Sequence, residues 1–123
     1  VKTKHYLLTQ TAANDFRRAK AWSLKRWGKE NTTSYFQYIE NIANELGKQT
    51  LLAKTDVLGV DNLSIWPIKE HYLVYIPLDN ELIAIVGLFR QTQDLTSIIQ
   101  NNSLAFKRQF TKLALRQQRK KHV

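Results

Sequence analysis

The chain has 123 residues, enough for one domain that buries most of its apolar surface without staples. It contains no Cys, which excludes a disulfide framework, a thiolate nucleophile and a Cys-ligated metal, and no apolar run approaches the roughly 20 residues that span a bilayer. The formal net charge of +9 is held unevenly: residues 1–102 carry 12 Lys/Arg against 10 Asp/Glu, while residues 103–123 carry 7 Lys/Arg and no acid.

That division separates a body, 1–102, from a basic tail, 103–123. The tail either remains a solvated terminus or meets an anionic partner: nucleic acid, a ribosome, an acidic protein or a membrane surface. The basic start Val1-Lys2-Thr3-Lys4-His5 has no long apolar core behind it, so no cleaved signal peptide is expected. The lack of Cys fits a cytoplasmic setting.

Tyr6-Leu7-Leu8 reads as a short first strand, with Thr9 or Thr11 able to cap a helix beginning just after it. Ala12, Phe16, Ala19 and Ser23 then recur at helical spacing, and Trp22 and Trp27 widen that face. Gly28 suits a helix end. Tyr35, Ile39, Ile42 and Leu46 form a second stripe closed by Gly47, so the two helices make an antiparallel hairpin.

Lys48–Asp61 is weakly patterned and reads as a loop. Leu63–Ile68 and Tyr72–Ile76 read as strands, and Pro77 is expected to end the second or to lie at an edge. Leu82–Phe89 is apolar on both faces, as a covered central strand would be. Asp94–Gln100 looks helical. Asn101-Asn102-Ser103 separates it from a last, basic helix, capped by Ser103, in which Phe106, Phe110 and Leu113 share a face. The order β-α-α-β-β-β-α, with this extra C-terminal helix, predicts an α+β fold: a helical hairpin on one face of a small, mainly antiparallel sheet.

Site chemistry is sparse. His5, His71 and His122 are too scattered for a metal site and read as surface or turn residues. The four Gly form no phosphate-binding loop, and no Ser sits in a nucleophile elbow. No cofactor and no metal is expected. Phe16, Trp22, Tyr35 and Phe89 read as core. Trp66 and Tyr75 are either buried strand aromatics or the lining of a groove for a partner segment. In the tail, Lys107, Arg108, Lys112, Arg116, Arg119, Lys120 and Lys121 are the candidate contacts to an anionic partner, while Phe106, Phe110 and Leu113 are placed to pack back on the body.

From Tyr6 to Ile99 the order and spacing of these pieces resemble the RelE/ParE toxin superfamily. Tyr6-Leu7-Leu8-Thr9 with Ala12 and Asp15-Phe16 is similar to its first strand and helix start. Trp27-Gly28 followed by Tyr35 resembles its hairpin joint, Tyr72-Leu73-Val74-Tyr75 its third strand, and Ile83–Phe89 with Arg90 and Asp94-Leu95 its last strand. The chain departs from that pattern at Gly87, where many members have Arg, and at Arg90, where His often ends the strand. It also has Trp66-Pro67-Ile68-Lys69 where a G-x-R commonly stands.

The resemblance implies a toxin of a type II toxin–antitoxin pair that causes growth arrest and plasmid stabilisation, is held by a cognate antitoxin in a hetero-oligomer, and does not enter a membrane. ParE-like members inhibit DNA gyrase by binding it. RelE-like members instead cut mRNA on the ribosome. That chemistry would fall here to Lys54, Lys69 and Arg90, because clustered cations stabilise a dianionic transition state. Antitoxin contact falls to Trp66 and Tyr75. A third reading is a non-toxic binding module that kept the fold.

Overall fold

The computed structural model describes residues 4–48 and 63–121. The elements are β1 (Tyr6–Leu8), α1 (Gln10–Gly47), β2 (Ser64–Ile68), β3 (His71–Asp79), β4 (Leu82–Arg90) and α2 (Leu95–Lys121). The four strands form one sheet in the order β1-β4-β3-β2, with β1 parallel to β4 and the other pairs antiparallel. The fold is α+β, as expected. Most of the loop expected at Lys48–Asp61, and Lys54 with it, lies outside the described residues.

Thr9 caps α1, its side-chain oxygen accepting from the Ala12 N–H at 3.2 Å. The helix then breaks at one residue. Gly28 has φ 84° and ψ 174°, a region essentially closed to residues with a Cβ. The two arms, 10–27 and 29–47, fold back on each other. Phe16 and Phe36 would be about 30 Å apart along an unbroken helix, yet their ring centroids are 6.2 Å apart. The hairpin joint is thus a single glycine.

Gly47 ends the second arm for a different reason. A Cβ there would meet the backbone of His5, so the strand entry and the helix end touch directly. The His5 N–H also donates to Asn44 Oδ1 at 3.0 Å.

The sheet is covered on both faces, not one. Tyr75, Leu73, Ile83, Ile85 and Leu88 face α1, where they pack on Ala12, Phe36, Ile39, Ala43 and Leu46. Val74, Ile76 and Val86 face the other way, toward Ile99 and Phe106 of α2. The expectation of one covered face fails because α2 is long and packs back. Asn101-Asn102-Ser103 does not interrupt it, and Ser103 lies mid-helix, its hydroxyl donating to Gln100 O at 3.4 Å. Burial of Ile99 and Phe106 on either side outweighs the weak helix preference of those residues. A line drawn between residues 102 and 103 falls inside this helix. Where α2 crosses the start of α1, Gln109 Oε1 accepts from the Thr11 N–H at 2.9 Å and Gln109 Nε2 donates to Thr11 Oγ1.

Pro77 does not end β3, which continues to Asp79. Pairing with β2 stops at Tyr75, so Pro77 stands where β3 has only β4 beside it among the described residues. A missing N–H is tolerated at such an edge. Between Val74 and Tyr75 the β3–β4 register also shifts, leaving Val86 without a partner in the pairing. The bulge changes the alternation of β4, so Ile83, Ile85 and Leu88 share one face.

Gly28→Ala is expected to cost about 1–3 kcal/mol from backbone conformation alone, although no atom lies within 4 Å of the added Cβ. Urea unfolding measures this, and an unchanged midpoint would mean that the joint has another conformation.

Candidate functional site

At one end of the sheet the β2–β3 turn, the start of β3 and the end of β4 meet the hairpin. His71, the first residue of β3, pairs with Arg90, the last residue of β4. Gln91 locks this end: its backbone N–H donates to Glu70 O at 3.0 Å, and its side-chain amide donates to Ile68 O at 2.8 Å and His71 O at 3.1 Å. Gln93 Oε1 accepts from the Arg90 N–H at 3.1 Å.

His71 is buried, with 1% exposure, which corrects its reading as a surface or turn residue. Its Nδ1 lies 2.7 Å from the Tyr35 hydroxyl, and that oxygen also accepts from the Glu70 N–H at 3.2 Å. Burial pushes the Tyr35 hydroxyl up to about 12, so it keeps its proton at neutral pH. Burial also holds the His71 imidazole below its ordinary value; Glu70 raises it and Arg90 lowers it further.

The aromatics form an edge-on chain. Trp22 meets Trp27 at 5.3 Å, Trp27 meets Tyr35 at 5.6 Å, and Tyr35 meets Phe36 at 5.7 Å. Cations lie on this chain and beside it. The Arg90 guanidinium sits 4.3 Å from the Trp22 ring centroid, Arg26 sits 5.2 Å from the same ring, and Lys69 sits 5.0 Å from Tyr38.

A cleft of about 290 Å³ opens beside His71, lined in part by Trp22, Arg18, Phe89 and Arg90. Asp15 forms its inner side. β1 pairs only with Ile83–Ile85 of β4, so the Leu88 N–H further along needs another acceptor. It donates to Asp15 Oδ2 at 3.2 Å, while Arg18 holds Asp15 Oδ1 at 2.6 Å. Burial raises the Asp15 carboxyl; the Leu88 N–H and Arg18 pull it back down in part. Gly87 leaves room for the Phe89 ring, whose nearest atom would lie 2.6 Å from a Cβ there.

The sequence candidates are dispersed around this site. Arg90 is at the cleft and exposed. Lys69 is in the β2–β3 turn, also exposed, against a different ring. Lys54 lies outside the described residues. Trp66 is half-buried on β2, and Tyr75 is 1% exposed in the core, so Tyr75 offers no surface to a docking chain in this state. Phe16, Tyr35 and Phe89 pack on the core as expected, while Trp22 lines the cleft. Lys107, Arg108, Lys112, Arg116 and Arg119 are exposed along α2, which Lys120 and Lys121 close. Phe106 and Phe110 pack on the sheet, as does their neighbour Ile99.

Asp15, His71 and Gln91 were not singled out as site residues by the sequence. A lone His before an apolar strand and a Gln after it carry no spacing signal. Their roles arise from the β3–β4 pairing and from the approach of the hairpin.

The chain, a mixed four-stranded sheet under an N-terminal helical hairpin, is a member of the RelE/ParE toxin superfamily. The chain belongs to the ParE toxin family, described as the ParE toxin of type II toxin-antitoxin system, parDE, whose match covers residues 6–95. It is the toxin of a type II toxin–antitoxin pair, and the family implies a cognate antitoxin. No curated protein matches the chain. Among the described residues no helix is long and apolar enough to cross a membrane. Nearly all of α2 lies beyond the family match.

A folded-state pKa below the unfolded value means that the unfolded chain takes up the His71 proton first as pH falls. The stability His71 contributes is therefore complete above its ordinary value of 6.5 and erodes as pH drops below it. Urea midpoints should fall between about pH 7.5 and about pH 5, and less so in His71→Asn. Equal slopes for the two proteins would contradict the burial of this ring. Independently, Tyr35→Phe should cost about 1–3 kcal/mol, because it strips partners from both His71 and the Glu70 N–H.

Proposed function

We propose that this toxin acts in the cytoplasm by binding and inhibiting DNA gyrase, and that the antitoxin encoded beside it neutralises it. The observation that carries the reading is the ParE family match across residues 6–95. The geometry supports a binding role over a catalytic one. Lys69 and Arg90 lie on separate aromatic rings, and the His71 ring beside Arg90 is buried and hydrogen-bonded to Tyr35. A ribonuclease would need an acid–base pair at an open site within reach of the 2′-hydroxyl it activates.

Trp66 on β2, which pairs only with β3 among the described residues, is proposed as an antitoxin contact, with Tyr75 on β3, opposite Ser64, supporting that strand. The exposed cations of α2, together with Lys120 and Lys121, are proposed to face an anionic partner, for which the expected signature is a steep loss of affinity with added salt.

Inducing the chain in growing bacteria while following thymidine and methionine incorporation tests the target. DNA synthesis should stop first, and the purified chain should inhibit supercoiling by gyrase. If protein synthesis stops first and supercoiling is unaffected, the target is the ribosome and its mRNA, and Lys54, Lys69 and Arg90 become candidates for catalysis.

A further inference from the structure

The 27 residues of α2 include no acid. Lys107, Arg108, Lys112, Arg116 and Arg119 are all exposed along it, and among the described residues none of the five is in an ion pair. Helical spacing sorts them. At about 100° per residue, Arg108 and Arg119 stand on the crest of the helix, opposite the buried Phe106. Lys107 lies on one flank, and Lys112 and Arg116 on the other. Lys112 and Arg116 also border a cleft of about 400 Å³ at the start of α1, which no acid lines. The first-turn N–H groups there are already taken, that of Thr11 by Gln109 and that of Ala12 by Thr9, so the attraction for an anion comes from the side chains.

This arrangement selects among anionic partners. A membrane surface takes up a helix by its apolar face, and the apolar face of α2, with Ile99, Phe106 and Phe110, is packed on the sheet. An acidic protein needs an apolar centre to its interface. The large apolar side chains exposed on α2, Leu104 and Leu115, are too far apart for one, at about 16 Å along the helix. A single strand of nucleic acid is held by stacking its bases on aromatic rings, and both rings of α2 face the sheet. Duplex phosphates need only cations at the right places. The major groove of DNA is about 12 Å wide and admits an α-helix, whereas that of duplex RNA is too narrow. A helix laid in the groove has a phosphate strand on each side, where Lys107 and the Lys112–Arg116 pair stand.

We propose that the outer face of α2 binds duplex DNA in the major groove, with Lys107 on the phosphates of one strand and Lys112 and Arg116 on those of the other. Arg108 and Arg119 face the groove floor. The inference rests on the anionic-partner reading of α2 above and names that partner; it does not require gyrase as the target.

The test is fluorescence anisotropy of the full chain with a labelled, mixed-sequence DNA duplex of about two helical turns. Affinity should fall with salt at a logarithmic slope of about −3 or steeper, which is roughly 60-fold or more between about 50 and about 200 mM. Replacing Lys107, Lys112 and Arg116 together by Gln, with helix content checked by circular dichroism, should weaken binding at least about tenfold, and each single substitution should flatten the slope by about 1. Lys25→Gln with Lys29→Gln removes two exposed charges from the hairpin and should leave binding unchanged. At equal charge, single-stranded DNA, an RNA duplex, a polyglutamate peptide and phosphatidylserine vesicles should each compete less well than the DNA duplex.

A competitor that matches or exceeds duplex DNA overturns DNA as the partner. A triple variant that binds like the wild type, or a hairpin variant that loses as much as the triple one, overturns α2 as the site. Failure of the duplex while polyglutamate binds removes DNA and leaves the anionic-partner reading standing. Failure of every probe at the lowest salt removes both.

Discussion

The backbone turn at Gly28 is the constraint on which the rest of this molecule depends. With φ at 84° and ψ at 174°, it reverses a 38-residue helical stretch within one residue. The reversal puts Phe36 against Phe16 and Tyr35 against Trp27. It also sets the height at which the second arm crosses the sheet, and so brings the Tyr35 hydroxyl to His71. A longer joint would leave that distance to the loop. A one-residue joint leaves a single φ/ψ pair to set it, and Gly28 supplies a pair that a residue with a Cβ rarely adopts.

The sheet imposes the second constraint. β1 is only three residues long and covers a third of the outer edge of β4. The rest of that edge needs acceptors, and Asp15 supplies one from the first arm of the hairpin. An ionisable group is thereby placed under the cleft, with Arg18 as its neutralising partner. The bulge at Val86 acts in the same region, since it turns Leu88 to the hairpin face and leaves the Phe89 ring over Gly87. At Gly87 the Phe89 ring from the same strand fills the space a side chain would take, and Arg90 lies on Trp22.

The toxin class and this geometry fit one another. The toxin's cations and aromatics stand on a rigid frame, made by hydrogen bonds between Gln91, Tyr35 and Asp15 and main-chain groups of the sheet. The α2 helix adds a second basic surface, held in place by Ile99 and Phe106 on one side and by the Gln109–Thr11 pair on the other.

The sequence by itself determined the element order, the α+β class, the hairpin with its break at Gly28 and the doubly apolar β4. Each is a local pattern: helical spacing, a run of β-branched residues, a glycine between two stripes. It did not determine that α2 is one helix covering the second face of the sheet, because Asn101-Asn102-Ser103 disfavours a helix locally and only burial of Ile99 and Phe106 reverses that preference. Nor did it determine the site. His71 and Arg90 are 19 residues apart and become neighbours through strand pairing, while Tyr35 and His71 meet only because the hairpin is folded back and docked. Contacts of this kind depend on register and on the angle between layers, which no single segment encodes, and so tertiary structure alone decided them.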